Sequence, residues 1–204
     1  MEWVSGGHMT QGELFELPPR ERKSLVFKTM KYPLWSENKA KLIARYLKLF
    51  VMVTKHGAYI DGFAAPQSED YKHNWSAKLV LQSKPQLLRD FWLCELDASG
   101  FQHINDMVAA EPKVRGRRIS TMHGDFNTLI DGILNSGRIK DKTAAFCLLD
   151  QRTFECDWAT VRKLATHKKD PAANKIELFY FLGSGWLDRA LAAISVGKQR
   201  VDTF

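Results

Sequence analysis

The stretch AYIDGFAAPQ, residues 58–67, decides how the chain is read. A short apolar run, Ala58-Tyr59-Ile60, ends on Asp61 and passes into Gly62, Phe63, Ala64, Ala65 and Pro66. An apolar run bounded by glycine, small residues and proline reads as a buried strand that stops at a turn. Buried strands seldom close on an acid by accident, so the other strand ends matter.

Working outward, the spacing of Leu42, Ile43, Tyr46, Leu47, Phe50 and Val51 predicts a helix over 36–52 with Ser36 as N-cap. A strand over 56–61 follows, then the polar loop QSEDYKHN and a helix in WSAKLVLQ that Pro85 interrupts. DFWLCELD, 90–97, is a second strand, ending on Glu95 and Asp97, before a helix in ASGFQHINDMVAAE. RRISTMHGD, 117–125, is a third, ending on Asp125, before a short helix in FNTLIDGILNSG that Gly137 stops. TAAFCLLD, 143–150, is an almost wholly apolar fourth strand ending on Asp150, followed by helix DWATVRKLATH. KIELFYFLGSG, 175–185, is the fifth, followed by helix WLDRALAAI. Strands alternating with helices predict an α/β fold, a mainly parallel Rossmann-like sheet with helices on both faces.

In such a sheet the C-terminal strand ends share one edge, where ligands bind. Asp61, Glu95 with Asp97, Asp125 and Asp150 then line that edge. Such an edge is a poor phosphate cradle and suits hydroxyls, amines and a sulfonium. Asp61 would hold a cationic or polar ligand end. An acid after strand two suits a ribose diol, and Asp125 can accept from an adenine amino group. These needs are those of S-adenosylmethionine. Capping is the competing role, since Asp97 and Asp125 each precede a helix.

The chain has 204 residues, 45% hydrophobic and 26% charged, values that fit one globular domain. Residues 1–24 form a polar N-terminal segment whose first nine, MEWVSGGHM, look like a vector remnant, leaving 25–204 as the domain. No apolar run approaches the roughly 18–20 residues of a membrane span. Cys94, Cys147 and Cys156 form no C-x-x-C pair, which fits a reduced, cytoplasmic protein, and no Cys or His spacing suggests a metal site. The net charge of +7 permits a nucleic-acid partner, with KVRGRR, 113–118, either its contact or a solvated loop.

With these pieces in hand, the chain resembles the three-Cys-motif partner proteins of bacteria and mobile elements. The resemblance rests on YIDGFAAPQ (Y-I-D-x-F-A-G-P-G in the family), FWLCELD, HGDFN, LLDQRTFECDWATVRKLA and KIELFYFLGSGWLDRAL, over about residues 35–196. It implies a methyltransferase-type fold, S-adenosylmethionine as cofactor, and a partner with three cysteines encoded nearby. Cofactor contacts are expected from Asp61, Gly62, Phe63, Ala64, Ala65, Pro66, Glu95, Asp97, Asp125 and Phe126. Ala65-Pro66-Gln67 departs from Gly-Pro-Gly, which restricts positive φ and close backbone approach. The end at residue 204 implies a truncated or short member.

LLDQRTFECDW sits where amino-methyltransferases carry an acid or amide, two prolines and an aromatic. Asp150, Gln151 and Phe154 are therefore the catalytic candidates, orienting an amine and stacking on a base. Arg152 and Thr153 replace the prolines, and Arg152 could instead bind phosphate or pair with Glu155. Asp150 and Asp157 could equally be caps. FLGSGW reads as a tight turn before a phosphate loop, His123 as strand-end structure before a base, and Trp158 and Trp186 as packing anchors before stacking platforms. Two functions stay open. One is a methyltransferase acting on nucleic acid or another acceptor. The other is a catalytically degenerate fold that docks a partner in a mobile-element or defence system. A nuclease would want metal-binding acids near a lysine, and no spacing supports one strongly.

Overall fold

The two most apolar runs form the middle of a sheet. In the computed structural model, which describes residues 34–66, 75–151 and 154–183, the elements run α1 (Leu34–Thr54), β1 (Gly57–Asp61), α2 (Ser76–Gln82), β2 (Leu88–Glu95), α3 (Ala98–Ala110), β3 (Arg118–His123), α4 (Phe126–Leu134), β4 (Ala145–Leu149), α5 (Trp158–Thr166) and β5 (Glu177–Tyr180). All pairings are parallel, in the order β3-β2-β1-β4-β5. β1 and β4 are buried along their whole length, whereas β3 and β5, at the margins, are partly exposed. Only helices on both faces can bury central strands in this way.

Two apolar layers cover the sheet. α1, α2 and α3 pack Ile43, Leu47, Val80, Leu81, Ile104 and Met107 against Tyr59, Phe91, Leu93, Phe146 and Leu148. On the other face α4 and α5 pack Ile130, Ile133, Val161 and Leu164 against Ile60, Trp92, Cys147 and Leu149. Tyr59 and Ile60 are sequence neighbours on opposite faces, as the two-residue period of a strand requires. After β3 the chain crosses to the far side of β1, so the order reverses between β1 and β4. That is the switch point of a doubly wound sheet, and Asp61 closes β1 there, in register with Leu93 and Leu148.

The fold class is as the alternation predicts, and several boundaries differ. α1 starts at Leu34, so Ser36 lies inside it, and it runs on to Thr54. Its end is made by Lys55, whose N–H reaches the Val51 carbonyl at 2.9 Å and whose φ of 61° is left-handed. β2 stops at Glu95 and β3 at His123, because Asp97 and Asp125 are helix N-caps and not strand residues. The fifth strand is shorter than expected, Glu177–Tyr180. The segment 1–24, the loop QSEDYKHN over 67–74, Arg152, Thr153, Ser184, Gly185, Trp186 and the helix expected after β5 lie outside the described residues.

Candidate functional site

Asp61 is held from inside the protein. It is 1% exposed; the Tyr59 hydroxyl donates to Oδ2 at 2.8 Å and the Phe63 N–H to Oδ1 at 3.2 Å. Burial pushes its carboxyl up to about 7, against the pull of those two donors, and the nearby Asp150 and Glu95 charges add to the rise. Tyr59 itself is pushed well above its ordinary value by burial and by the Asp61 charge. Asp61 therefore fixes the turn after β1, with its oxygens facing the protein.

The loop that follows is stitched to both neighbouring strands. Gly62 N–H donates to the Leu148 carbonyl at 3.0 Å and Ala64 N–H to the Cys94 carbonyl at 2.9 Å. Trp75 Nε1 donates to the Ala64 carbonyl. Gly62 lies against Phe126: a Cβ there would come within 2.9 Å of the ring, whose other neighbour is Phe63. Ala64 is buried, and Ala65 and Pro66 are half-buried. Among the described residues the non-glycine with positive φ is Lys55, so Ala65 needs no left-handed conformation. Room for its methyl comes from Gly100, where an added Cβ would meet Ala65 Cβ at 2.8 Å.

Glu95 ties this loop to the next strand. Its Oε2 accepts from Ala65 N–H at 3.2 Å, and Oε1 accepts from Leu96 and Asp97 N–H, both at 2.9 Å. Asp97 caps α3 by accepting from Gly100 N–H at 2.8 Å. Asp125 caps α4, accepting from Asn127 N–H at 3.0 Å and from its side-chain amide at 2.8 Å. Phe126 is buried at the start of that helix. His123 sits on the Phe101 ring, 5.0 Å between centroids, with Nε2 3.1 Å from the Leu96 carbonyl.

The end of β4 is organised by a residue that the sequence did not mark. Lys39, from α1 and 7% exposed, donates to Asp150 at 2.5 Å and lies 4.3 Å from the centre of the Phe181 ring. Gln151 is buried, its amide donating to the Phe181 carbonyl at 3.3 Å and accepting from Cys156 N–H at 2.9 Å. Phe154 is half-buried in the same loop. Asn127, also unmarked, joins two helix starts: besides Asp125 it donates to the Glu155 carbonyl at 2.9 Å and accepts from Asp157 N–H and the Thr160 hydroxyl, each at 2.8 Å.

The structure thus brings Asp61, Gly62, Phe63, Ala64, Ala65, Glu95 and Phe126 into one contact group, with Asp97 and Asp125 beside it as caps. Asp150 and Gln151 meet at the end of β4 through Lys39 and Phe181, with Phe154 in the loop that follows, and are coupled to the first group through the Asp150 and Asp61 charges. Trp158, expected to pack, is instead 70% exposed as the first residue of α5. KVRGRR leads into β3, whose first residue is Arg118, at the opposite edge of the sheet. There Arg118 grips Asp90 with two bonds, 2.7 and 2.9 Å, and Arg117 donates to the Leu81 carbonyl at 3.0 Å. No group of three or more His, Cys, Asp or Glu among the described residues could hold a metal, and no described helix is long and apolar enough to cross a membrane. No protein-family model matches the sequence, and no curated protein matches it significantly.

Proposed function

We propose that this chain binds S-adenosylmethionine at the C-terminal ends of β1 and β2, as a methyltransferase-like protein of the three-Cys-motif partner kind. The observation that carries the reading is Glu95, which closes β2 beside the switch point and holds the β1 loop by Ala65 N–H. A carboxylate has about four lone-pair sites, and three are taken here by backbone N–H groups. The remaining site on Oε2 suits one ribose hydroxyl. Asp61 and Tyr59 keep the loop in place from beneath, and Gly100 leaves the space into which Ala65 fits.

The bound cofactor would supply an electrophilic methyl group. Transfer of such a group depends chiefly on alignment with the acceptor. The loop after β4 is the place for that acceptor, with Asp150 anchored by Lys39 and Phe154 offering a half-buried ring. Gln151 shapes this loop, since both ends of its amide bind backbone. A nucleic-acid acceptor draws support from the net charge, not from KVRGRR, which is on the wrong edge. A three-cysteine partner and a bacterial setting follow from the sequence resemblance, and a cytoplasmic setting from three cysteines that form no C-x-x-C pair.

A second reading, a partner-docking module without catalysis, is favoured by the inward engagement of Asp61 and the capping roles of Asp97 and Asp125. Calorimetric titration with S-adenosylmethionine and S-adenosylhomocysteine separates the two. Micromolar binding that weakens at least tenfold in Glu95→Gln is the expected result. No heat from folded protein at millimolar ligand would overturn the cofactor reading in favour of the module.

A further inference from the structure

Every described strand is entered through a connection with more cations than acids. The connections into β3, β4 and β5, residues 111–117, 135–144 and 167–176, each carry three Lys or Arg and one acid. Lys55 precedes β1 and Lys84 precedes β2, with no acid in either connection. In an all-parallel sheet these connections share the edge opposite the strand ends, so the positive charge of the chain collects there. The strand-end edge holds Asp61, Glu95, Asp97, Asp125 and Asp150 instead. Arg89 and Glu95 mark the two edges on one strand, about 20 Å apart at about 3.3 Å per residue.

Some of these cations serve the fold. Arg117 donates to the Leu81 carbonyl, and the buried Lys168 donates to the Thr143 and Asn174 carbonyls. Others face water. Arg115, Lys140 and Lys142 are exposed and make no ion pair among the described residues. Arg89 is exposed too; its Nη1 donates to the Arg115 carbonyl at 3.1 Å, which ties the start of β2 to the turn before β3 and uses one of five donors. Arg138 lies 3.8 Å from Asp90, whose two oxygens Arg118 already holds, so its charge adds to the edge. Of the acids, Glu111 accepts from the Gln82 amide and Asp170 from the Ala172 N–H, while Asp141 stays exposed between Lys140 and Lys142.

We infer that this edge, where the strands begin, binds the phosphate backbone of double-stranded nucleic acid without regard to sequence. Five strands at about 4.8 Å make the edge about 19 Å wide, which faces about five phosphates of one duplex strand. Arg89 and Arg115 offer the forked guanidinium that suits phosphate oxygens. The exposed large apolar side chains among the described residues all lie outside the five connections. A single strand would want free rings on which to stack its bases, and a lipid surface would want apolar side chains between the cations. The exposed Tyr46 ring is engaged by Phe146 and Glu177, and Trp158 is at the strand-end edge. The acids of that edge repel the same backbone and so orient the chain on it. The surface lies away from the ends of β1 and β2 and does not rest on cofactor binding there.

The test is the fluorescence anisotropy of a labelled 20-base-pair duplex titrated with the full chain. With Arg89, Arg115, Lys140 and Lys142 each on a phosphate, affinity is expected to fall about 150-fold from 50 to 200 mM salt, a log–log slope of about −3.6. Two duplexes of unrelated sequence should bind within about threefold of each other. Arg115→Glu, Lys140→Glu and Lys142→Glu combined are expected to weaken binding at 50 mM salt by about 30-fold or more, with unchanged far-ultraviolet circular dichroism. The alanine triple at the same positions, milder toward folding, should weaken it about tenfold. Arg45→Glu, Lys48→Glu and Arg162→Glu make the same change in net charge on α1 and α5 and should weaken it less than about fivefold. No saturable binding by folded wild type at 50 mM salt, equal losses in the two glutamate triples, or tighter binding of a single strand of the same length overturns the inference. So does capture of the chain by phosphatidylserine vesicles in place of the duplex.

Discussion

Replacing Asp61 by Asn tests the electrostatics of the switch point through stability alone. The isosteric amide keeps its oxygen for the Phe63 N–H, and the Tyr59 hydroxyl can turn to accept from the new NH2 group. What disappears is a titration. The Asp61 carboxyl rises from its ordinary 3.8 to about 7 in the folded protein. Between those values the folded state binds a proton that the unfolded state has released, so stability falls as pH rises. Its contribution is complete below about pH 4 and lost above about pH 7. At about 1.4 kcal/mol per pH unit, the whole loss is about 4 kcal/mol, of which about 2.5 kcal/mol falls between pH 5 and pH 8. Urea unfolding of wild type and Asp61→Asn across that range reads the difference directly. With a slope of about 2 kcal/mol per molar, the midpoint of the Asn variant should gain about 1 M on wild type from pH 5 to pH 8. A difference independent of pH, or one that grows in favour of Asp61 at high pH, would refute the reasoning, for it would mean an ionised and compensated carboxylate.

Two other residues have sharp consequences. Asn127→Ala removes the bonds that join the starts of α4 and α5, and should destabilise the fold by about 2–3 kcal/mol in urea unfolding, with Asn127→Asp recovering only part because it lacks the amide donors. Lys39→Met strands the mostly buried Asp150 carboxylate and should cost about 3 kcal/mol, and a double variant with Asp150→Asn should regain most of it.

Much of the fold was legible because its signals are local. AFCLL and GAYID are apolar throughout, and only central parallel strands are buried on both faces, so β1 and β4 announced themselves. Strand ends were legible less sharply. An acid that closes a strand and an acid that caps the next helix occupy neighbouring positions in a short connection, and sequence does not separate them. Asp61 and Glu95 close strands, whereas Asp97 and Asp125 cap helices, and the expected strands two and three ran long for that reason.

The rest depended on contacts between residues far apart. Lys39 lies two residues from Lys41 on the same helix, yet one turns inward to a carboxylate 111 residues away and the other stays exposed. Asn127 looks like an ordinary first-turn residue until Asp157 and Thr160 are placed beside it. Trp158 misled in the other direction: a tryptophan at a helix start suggests packing, but α5 turns it outward. Gly100 gave no sequence signal as the partner of Ala65, because the two meet only when α3 starts against the β1 loop.

The most direct measurement follows backbone amide resonances of the labelled protein as S-adenosylhomocysteine is added. Saturable shifts are expected at Gly62, Ala64, Ala65, Glu95 and Gly100, around the ends of β1 and β2, with Gly116 and Arg118 at the opposite edge unmoved. A folded protein whose spectrum does not change at millimolar ligand, or whose shifts cluster at the opposite edge, would contradict a cofactor site at the switch point.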